Sequence, residues 1–235
     1  MKIDGPLIQG KFLERPNRFI VIAKVEGKIM RTHLPDPGRL KELLFPGAKL
    51  LLRHAPKNSK RKTKYTTVMV NHGGQLISLV STLPNHLVSE LLQNKELPML
   101  SEYNYVQSEV LNGSHRFDFL LNDQNKTPFF LEVKSVTYVE NGLAKFPDAI
   151  TLRGKRHAHA LTKLVQEGAG AGILFVCQRP DAKQFAPMWN RDPKFAEALL
   201  HAKKSGVKVW CITTKISETD ISFKNQIPVN LFPPD

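Results

Sequence analysis

The sequence predicts a two-domain α/β chain: a small OB-like β-barrel over residues 1–83, then an α/β domain built on a mixed sheet over residues 84–235. Three observations predict it. The first third is a series of short β-branched and aromatic segments separated by Gly, Pro and Asp turns. From Pro84 onward, apolar residues fall at helical spacing in stretches that alternate with strand candidates. The charge changes at the same place: residues 1–84 hold 16 Lys+Arg against 5 Asp+Glu, and residues 85–235 hold 18 against 16.

In the first domain, Arg18 to Val25 reads as a strand, Glu26-Gly27-Lys28 as a tight turn, and Ile29 to Leu34 as the returning strand of a hairpin. Pro35-Asp36-Pro37-Gly38 breaks the pattern, and a short helix is expected over Arg39 to Leu44, stopped by Pro46-Gly47. Ala48 to His54, Tyr65 to Asn71 and Gln75 to Thr82 supply three more strands. Five short strands with one small helix fit a small barrel.

In the second domain, Leu87, Val88, Leu91 and Leu92 place a helix over Pro84 to Leu97, with Asn85 as its expected cap. Strands are expected over Tyr105 to Leu111, His115 to Leu121 and Pro128 to Val136. A helix follows over Thr151 to Glu167, a buried strand over Ala171 to Cys177, a helix over Asp192 to Lys204, and a strand over Val207 to Thr213.

Composition bounds the function. A hydrophobic fraction of 41% supplies a core and excludes a disordered chain. No stretch approaches the roughly 18 to 20 apolar residues of a membrane span, and the first residues lack the apolar centre of a signal peptide. Cys177 and Cys211 are too few for a disulfide framework or a typical zinc site, and both lie in apolar runs. The cytoplasm is therefore the expected location, and no membrane partner is expected. A net charge of +13 concentrated in one third of the chain suits a polyanion, DNA above all. Few aromatics in the N-terminal strands are placed to stack bases, which sets RNA behind DNA as a partner. The oligomeric state stays open, a homodimer included.

Four segments carry candidate chemistry. Residues 53–64 hold Arg53, Lys57, Lys60, Arg61, Lys62 and Lys64 without one acid, in a loop between two strands. Such a loop can follow a phosphate backbone and release its counterions; the alternative is a merely solvated loop. The second is a hairpin of Arg116-Phe117-Asp118-Phe119-Leu120 and Phe129-Phe130-Leu131-Glu132-Val133-Lys134-Ser135. Alternation puts Phe117 and Phe119 on one face with Asp118 on the other, and puts Glu132 and Lys134 on the face of Phe130. Charges in strands this apolar need a partner or a metal. Two carboxylates on neighbouring strands can hold one Mg²⁺, with the Val133 carbonyl as a further ligand, and Lys134 beside it can position a water or neutralise a phosphate. Glu90 on the preceding helix is a third candidate ligand. The alternative is a plain Asp118–Lys134 ion pair. Third, Arg153 and His157 stand four apart on one helical face, able to meet phosphate oxygens. Fourth, Arg39 follows the break in His33-Leu-Pro-Asp-Pro-Gly-Arg-Leu40, where it could bind an anion.

These pieces, together with Lys60-Arg-Lys62, Phe146-Pro-Asp-Ala149 and Thr151-Leu-Arg-Gly-Lys-Arg-His157, resemble the sugar fermentation stimulation protein A (SfsA) family. The resemblance implies DNA binding linked to regulation of sugar (maltose) metabolism. It implies an N-terminal OB-like domain followed by a PD-(D/E)XK nuclease-like domain, with Asp118, Glu132 and Lys134 matching the nuclease core motif. Glu90 is then the favoured helical acid, with Glu109 its rival. Asp36-Pro37 stands where the family more often has Asn-Thr, and Lys155-Arg156 where it has Gln-Lys. The leading expectation is a regulatory protein gripping duplex DNA through phosphates. The second is a Mg²⁺-dependent nuclease.

Overall fold

Alternating apolar residues close the first strands on themselves. In the computed structural model, which describes residues 1–56 and 58–234, these are β1 (Leu7–Asn17), β2 (Ile20–Val25), β3 (Lys28–His33), β4 (Lys49–His54), β5 (Tyr65–His72) and β6 (Gln75–Ser78). β1 pairs with β2 and β4, β2 with β3, and β4 with β5, all antiparallel. A short parallel pairing of β3 with β5 shuts the ring, and β6 continues from β5 as a hairpin. The result is a closed five-stranded OB barrel. Val21, Ala23, Val25, Leu50, Leu52 and Val70 fill it.

Two expectations fail here. β1 is absent from the sequence reading because its residues are mostly polar: only Phe12 is buried along its length. The helix expected over Arg39 to Leu44 is a single turn, in which the Leu43 and Leu44 amides both donate to the Leu40 carbonyl. Leu40 sits at φ 52°, outside the helical region, because this short link must drive Leu40 and Leu43 into the barrel interior.

The second domain opens with α1 (Leu83–Gln93) and a short 3₁₀ turn, followed by β7 (Asn104–Asn112), β8 (His115–Asn122) and β9 (Pro128–Val136). Two short strands, β10 (Val139–Glu140) and β11 (Leu143–Phe146), lead to α2 (Leu152–Gln166). Then come β12 (Gly170–Cys177), β13 (Gln184–Pro187), α3 (Pro193–Lys204), β14 (Lys208–Ile216) and β15 (Ile221–Ile227). The main sheet runs β15-β14-β12-β9-β8-β7, with β9, β12 and β14 parallel at its centre and antiparallel strands outside them. β10, β11 and β13 make a separate small sheet. Strands of two to four residues carry too little periodicity to be read from sequence, and β15 exposes most of its side chains.

Each face of the main sheet is covered. α2 and α3 lie over Phe117, Phe130, Ile173 and Phe175. Gly154 permits this: a Cβ there would stand 3.1 Å from the Phe195 ring of α3. Cys177 and Cys211 are buried on the same side, and burial pushes the Cys177 thiol up to about 12. On the opposite face, α1 packs over Phe119, Leu131, Val133, Leu174 and Ile212. Ile3, Leu51, Val68 and Met69 from the barrel's side of the chain enter that same cluster. The segment before β1 also runs along the second domain: the Ile3 amide donates to Thr219 and the Ile221 amide to Met1. Among the described residues, no helix is long and apolar enough to cross a membrane.

Candidate active site

The antiparallel ladder between β8 and β9 stops at the pair Phe119–Leu131. One residue further along β8 stands Asp118, whose Oδ2 accepts the Val133 amide at 2.6 Å. Beyond this pair β8 stays laddered to β7 but no longer to β9. Phe117 therefore joins the cluster under α2, its ring 5.6 Å from Phe130, while Phe119 joins the cluster under α1. The shared face expected for Phe117 and Phe119 is thus not found, since strict alternation assumes a regular strand. Glu132 and Lys134 do share a face, where the Lys134 ammonium donates to Glu132 Oε1.

Helices from both sides reach these carboxylates. Asn85, expected as a cap of α1, instead donates its Nδ2 to Asp118 Oδ1 at 2.7 Å, and Thr82 takes the cap position without a side-chain bond. From α2, His157 Nδ1 lies 2.5 Å from Glu132 Oε1, and Arg153 Nε stands 3.4 Å from His157 Nε2. His157, expected to meet phosphate, is a buried partner of Glu132 and also lines a groove beside Arg153.

The two acids titrate in opposite directions. Burial raises Asp118 to about 6, with the Glu132 charge adding to it, against the lowering effects of the Val133 amide, Lys134 and Asn85. Burial also disfavours the charge on Glu132. There the His157 hydrogen bond and the charges of Lys134 and His157 win, and the carboxyl is held below its ordinary value.

Glu132 is 1% exposed, and its Oε2 is buried without a hydrogen-bond partner. A buried carboxylate oxygen left open beside a second carboxylate fits a hard divalent cation. Glu90 does not join them. It is 46% exposed and binds the N-terminal ammonium at 3.0 Å. Glu109 pairs with Arg116 at 2.9 Å. Among the described residues, no group of three or more His, Cys, Asp or Glu could hold a metal. The remaining ligands would have to be a carbonyl, water or phosphate, as suits Mg²⁺.

Over the carboxylates lies a cavity of about 390 Å³. Asp118, Glu132, Lys134, Ser135 and Arg153 line it from the sheet and α2, and Arg18, Asp36 and Gly38 line it from the barrel. The loop 35–40, which the sequence left open between anion binding and a plain turn, is thus a wall of the site. It is strapped across the domains: the Leu40 amide donates to Asp148 Oδ2 at 2.7 Å, and Arg191 holds Asp148 Oδ1 at 2.8 Å. Asp36 is buried, caps the Gly38 amide at 2.7 Å, and is raised by burial. Asp148→Asn keeps the shape but removes the charge that Arg191 and the Leu40 amide share. It is expected to lower stability by about 1–3 kcal/mol and to speed hydrogen exchange at the Leu40 amide. Unchanged exchange would remove Asp148 from the strap.

The basic residues divide. Arg53 is paired with Asp4 at 2.9 Å, and Arg61 is folded back on His33, Ser59 and Thr66. Lys60, Lys62 and Lys64 are exposed, and Lys57 lies outside the described residues. Arg39 is exposed and engaged only through its carbonyl, which accepts Arg15 Nη1 at 2.6 Å. Arg153 borders the cavity and a second groove of about 760 Å³ that also holds His115, Arg116, Arg156, His157, His159 and Lys163, with no acid in its lining. Sequence reasoning missed Asn85, Asp148 and the wall at Arg18. Asp148 had a signal, since it falls in one of the segments carrying the family resemblance; a lone Asn in a first helical turn reads as a cap.

Comparison with known proteins agrees with this architecture. The profile described as "Sugar fermentation stimulation protein RE domain" matches residues 82–220, and "SfsA N-terminal OB domain" matches residues 13–79. The chain is 39% identical over 231 residues to the sugar fermentation stimulation protein homolog of Clostridium botulinum strain Langeland, covering 98% of this chain and 100% of the relative. The homolog from Clostridium perfringens strain 13 matches at the same identity, length and coverage. The structure of Pyrococcus furiosus SfsA in complex with Ca²⁺ superposes with a TM-score of 0.88 at 28% identity, covering 98% of each chain.

Proposed function

Because the chain belongs to the sugar fermentation stimulation protein family, we propose that it binds DNA and hydrolyses its phosphodiester bonds with a divalent metal held by Asp118 and Glu132. One observation carries this reading. Two carboxylates of opposite titration stand beside each other under a cation-rimmed cavity, and the buried Oε2 of Glu132 has no donor. Pyrococcus furiosus SfsA, the structural relative, is in complex with Ca²⁺, which is consistent with a divalent site in this fold.

Bound there, a Mg²⁺ would polarise a phosphoryl oxygen and lower the pKa of a water. The chain's own groups do the rest. Asn85 and the Val133 amide hold the Asp118 carboxylate in place. His157 and Lys134 hold Glu132 ionised through one oxygen and leave the other open. The Lys134 ammonium, at the edge of the cavity, is placed to steady charge that develops on the phosphate. Arg153 and the acid-free groove beside it offer the strand a track of phosphate contacts.

The test is cleavage of supercoiled plasmid and of labelled duplex with Mg²⁺, with Asp118→Ala as control. Wild type is expected to cut, and the variant to be slower by roughly a thousand-fold, the several kcal/mol that a bound metal supplies. A second reading, a regulator of sugar metabolism that binds without cutting, rests on the exposed Lys60, Lys62 and Lys64 of the barrel loop. Wild type that retains DNA but leaves it intact with Mg²⁺ or Mn²⁺ favours that reading and defeats the first.

A further inference from the structure

Arg18 lies in the turn between β1 and β2, on the barrel side of the cavity that holds Asp118, Glu132 and Lys134. Its backbone is fixed from several directions. Arg15 Nη2 donates to the Arg18 carbonyl at 2.7 Å and to the Asp36 carbonyl at 3.0 Å, while Arg15 Nη1 takes the Arg39 carbonyl. Asn17 Oδ1 accepts the Phe19 amide at 2.9 Å. The loop so tied is then bound to the second domain, with the Pro35 carbonyl accepting Ser81 Oγ at 2.8 Å and the Leu40 amide on Asp148. Both terminal nitrogens of one arginine thus hold the backbone that carries another.

The presented guanidinium is unused. Arg15, Arg53, Arg61, Arg179 and Arg191 all donate to protein acceptors; among the described residues the guanidinia of Arg18, Arg31, Arg39 and Arg156 make no ion pair or hydrogen bond, and of these four Arg18 lines the cavity. The floor it overlooks carries two carboxylates, which by themselves repel a phosphate. Asp36 and Asp148 also line the cavity, Asp148 already paired with Arg191; the cations facing these acids are Lys134, Arg153 and Lys145 from the second domain, Lys145 already paired with Glu140, and, across the cavity, Arg18 from the barrel. A planar fork of donors suits two phosphoryl oxygens at once.

Resting on the cleavage reading above, we propose that Arg18 is a substrate-binding residue of the site, contributed by the barrel, that holds a backbone phosphate of the strand lying over Asp118 and Glu132. The barrel is then more than a remote grip: it completes the substrate cleft.

The test uses the full chain, a fluorescein-labelled duplex, and the variants Arg18→Ala and Arg18→Lys. Single-turnover cleavage with Mg²⁺ and binding across a salt series are both measured. Arg18→Ala is expected to cut roughly ten- to a hundred-fold more slowly at saturating protein. It should also lower the slope of log affinity against log salt by about 0.9, the release of one phosphate contact. Arg18→Lys should restore the slope but only part of the rate, because an ammonium lacks the fork. Both variants should melt with wild type, since among the described residues the exposed Arg18 side chain makes no hydrogen bond or ion pair. Arg18→Ala with wild-type slope and wild-type rate overturns the proposal. If wild type binds without cutting, the cleavage reading falls while the slope still decides the Arg18 contact, and an unchanged slope overturns it. A wild type that neither binds nor cuts defeats both.

Discussion

Asp118→Asn is expected to be more stable than the wild-type chain near neutral pH in a metal-free buffer, by up to about 3 kcal/mol, and to cleave DNA roughly a thousand-fold more slowly. The gain follows from the direction of the Asp118 shift. Its carboxyl moves from 3.8 up to about 6 on folding, chiefly through burial and then through the Glu132 charge. A raised acid favours the fold while protonated. That contribution is complete below about 3.8, is lost as pH rises from there through about 6, and is absent at neutral pH. Asparagine removes the carboxylate and the penalty with it. It also keeps the local bonds: its oxygen accepts the Val133 amide, and Asn85 turns its amide over to accept from the new NH₂. Urea unfolding in EDTA at several pH values checks this. The stability difference should shrink as pH is lowered from neutral toward 4. An Asp118→Asn chain less stable than wild type at neutral pH would refute the cost assigned to this carboxylate.

Glu132→Gln should do the reverse to stability and the same to cleavage. Burial alone would make Glu132 hard to ionise, but the His157 bond and the nearby positive charges hold it below its ordinary value. Its charge therefore contributes stability above the unfolded pKa, and that stability is lost as pH falls through the lowered folded one. Glutamine leaves the Lys134 ammonium, only 15% exposed, against a neutral amide. Removing one member of a buried pair costs about 3–5 kcal/mol, and the lower end is expected because the amide oxygen still receives His157. Cleavage should fall by roughly a thousand-fold or more, as one of two metal-binding oxygens goes. A Glu132→Gln chain that melts with wild type would show that Lys134 and His157 do not depend on the carboxylate. Two neutralised acids with opposite effects on folding and the same effect on catalysis would be hard to explain by damage to the fold.

Much of the architecture was legible because it rests on repeating patterns. The hairpin β8–β9, the strand β12 and both helices over Phe117 and Phe175 follow from apolar periodicity, and their observed bounds lie within a few residues of the expected ones. The acids Asp118 and Glu132 were legible for a related reason: a charge in an otherwise apolar strand needs a partner or a metal. What was not legible depends on distance in sequence. Asn85 and Asp118 stand 33 positions apart and Leu40 and Asp148 108 apart, so no local pattern announces either bond. Glu90 was favoured from its place on the first helix, and only the fold shows that the N-terminal ammonium claims it. β1 was missed because a strand that buries one side chain leaves no alternation to read.

The cluster under α1 has a consequence for the history of the chain. Leu51, Val68 and Met69 come from barrel strands and Ile3 from the segment before them, yet they pack beside Phe119, Leu174 and Ile212. A seam that is also a core cannot be cut and resealed. Domains joined by a polar linker can be shuffled, duplicated or grafted onto new partners, each half carrying its stability with it. Here, either half expressed alone would present a greasy surface in place of its neighbour, and a foreign partner would have to reproduce the shape of four side chains. A substitution on one side of the seam is therefore answerable to the other.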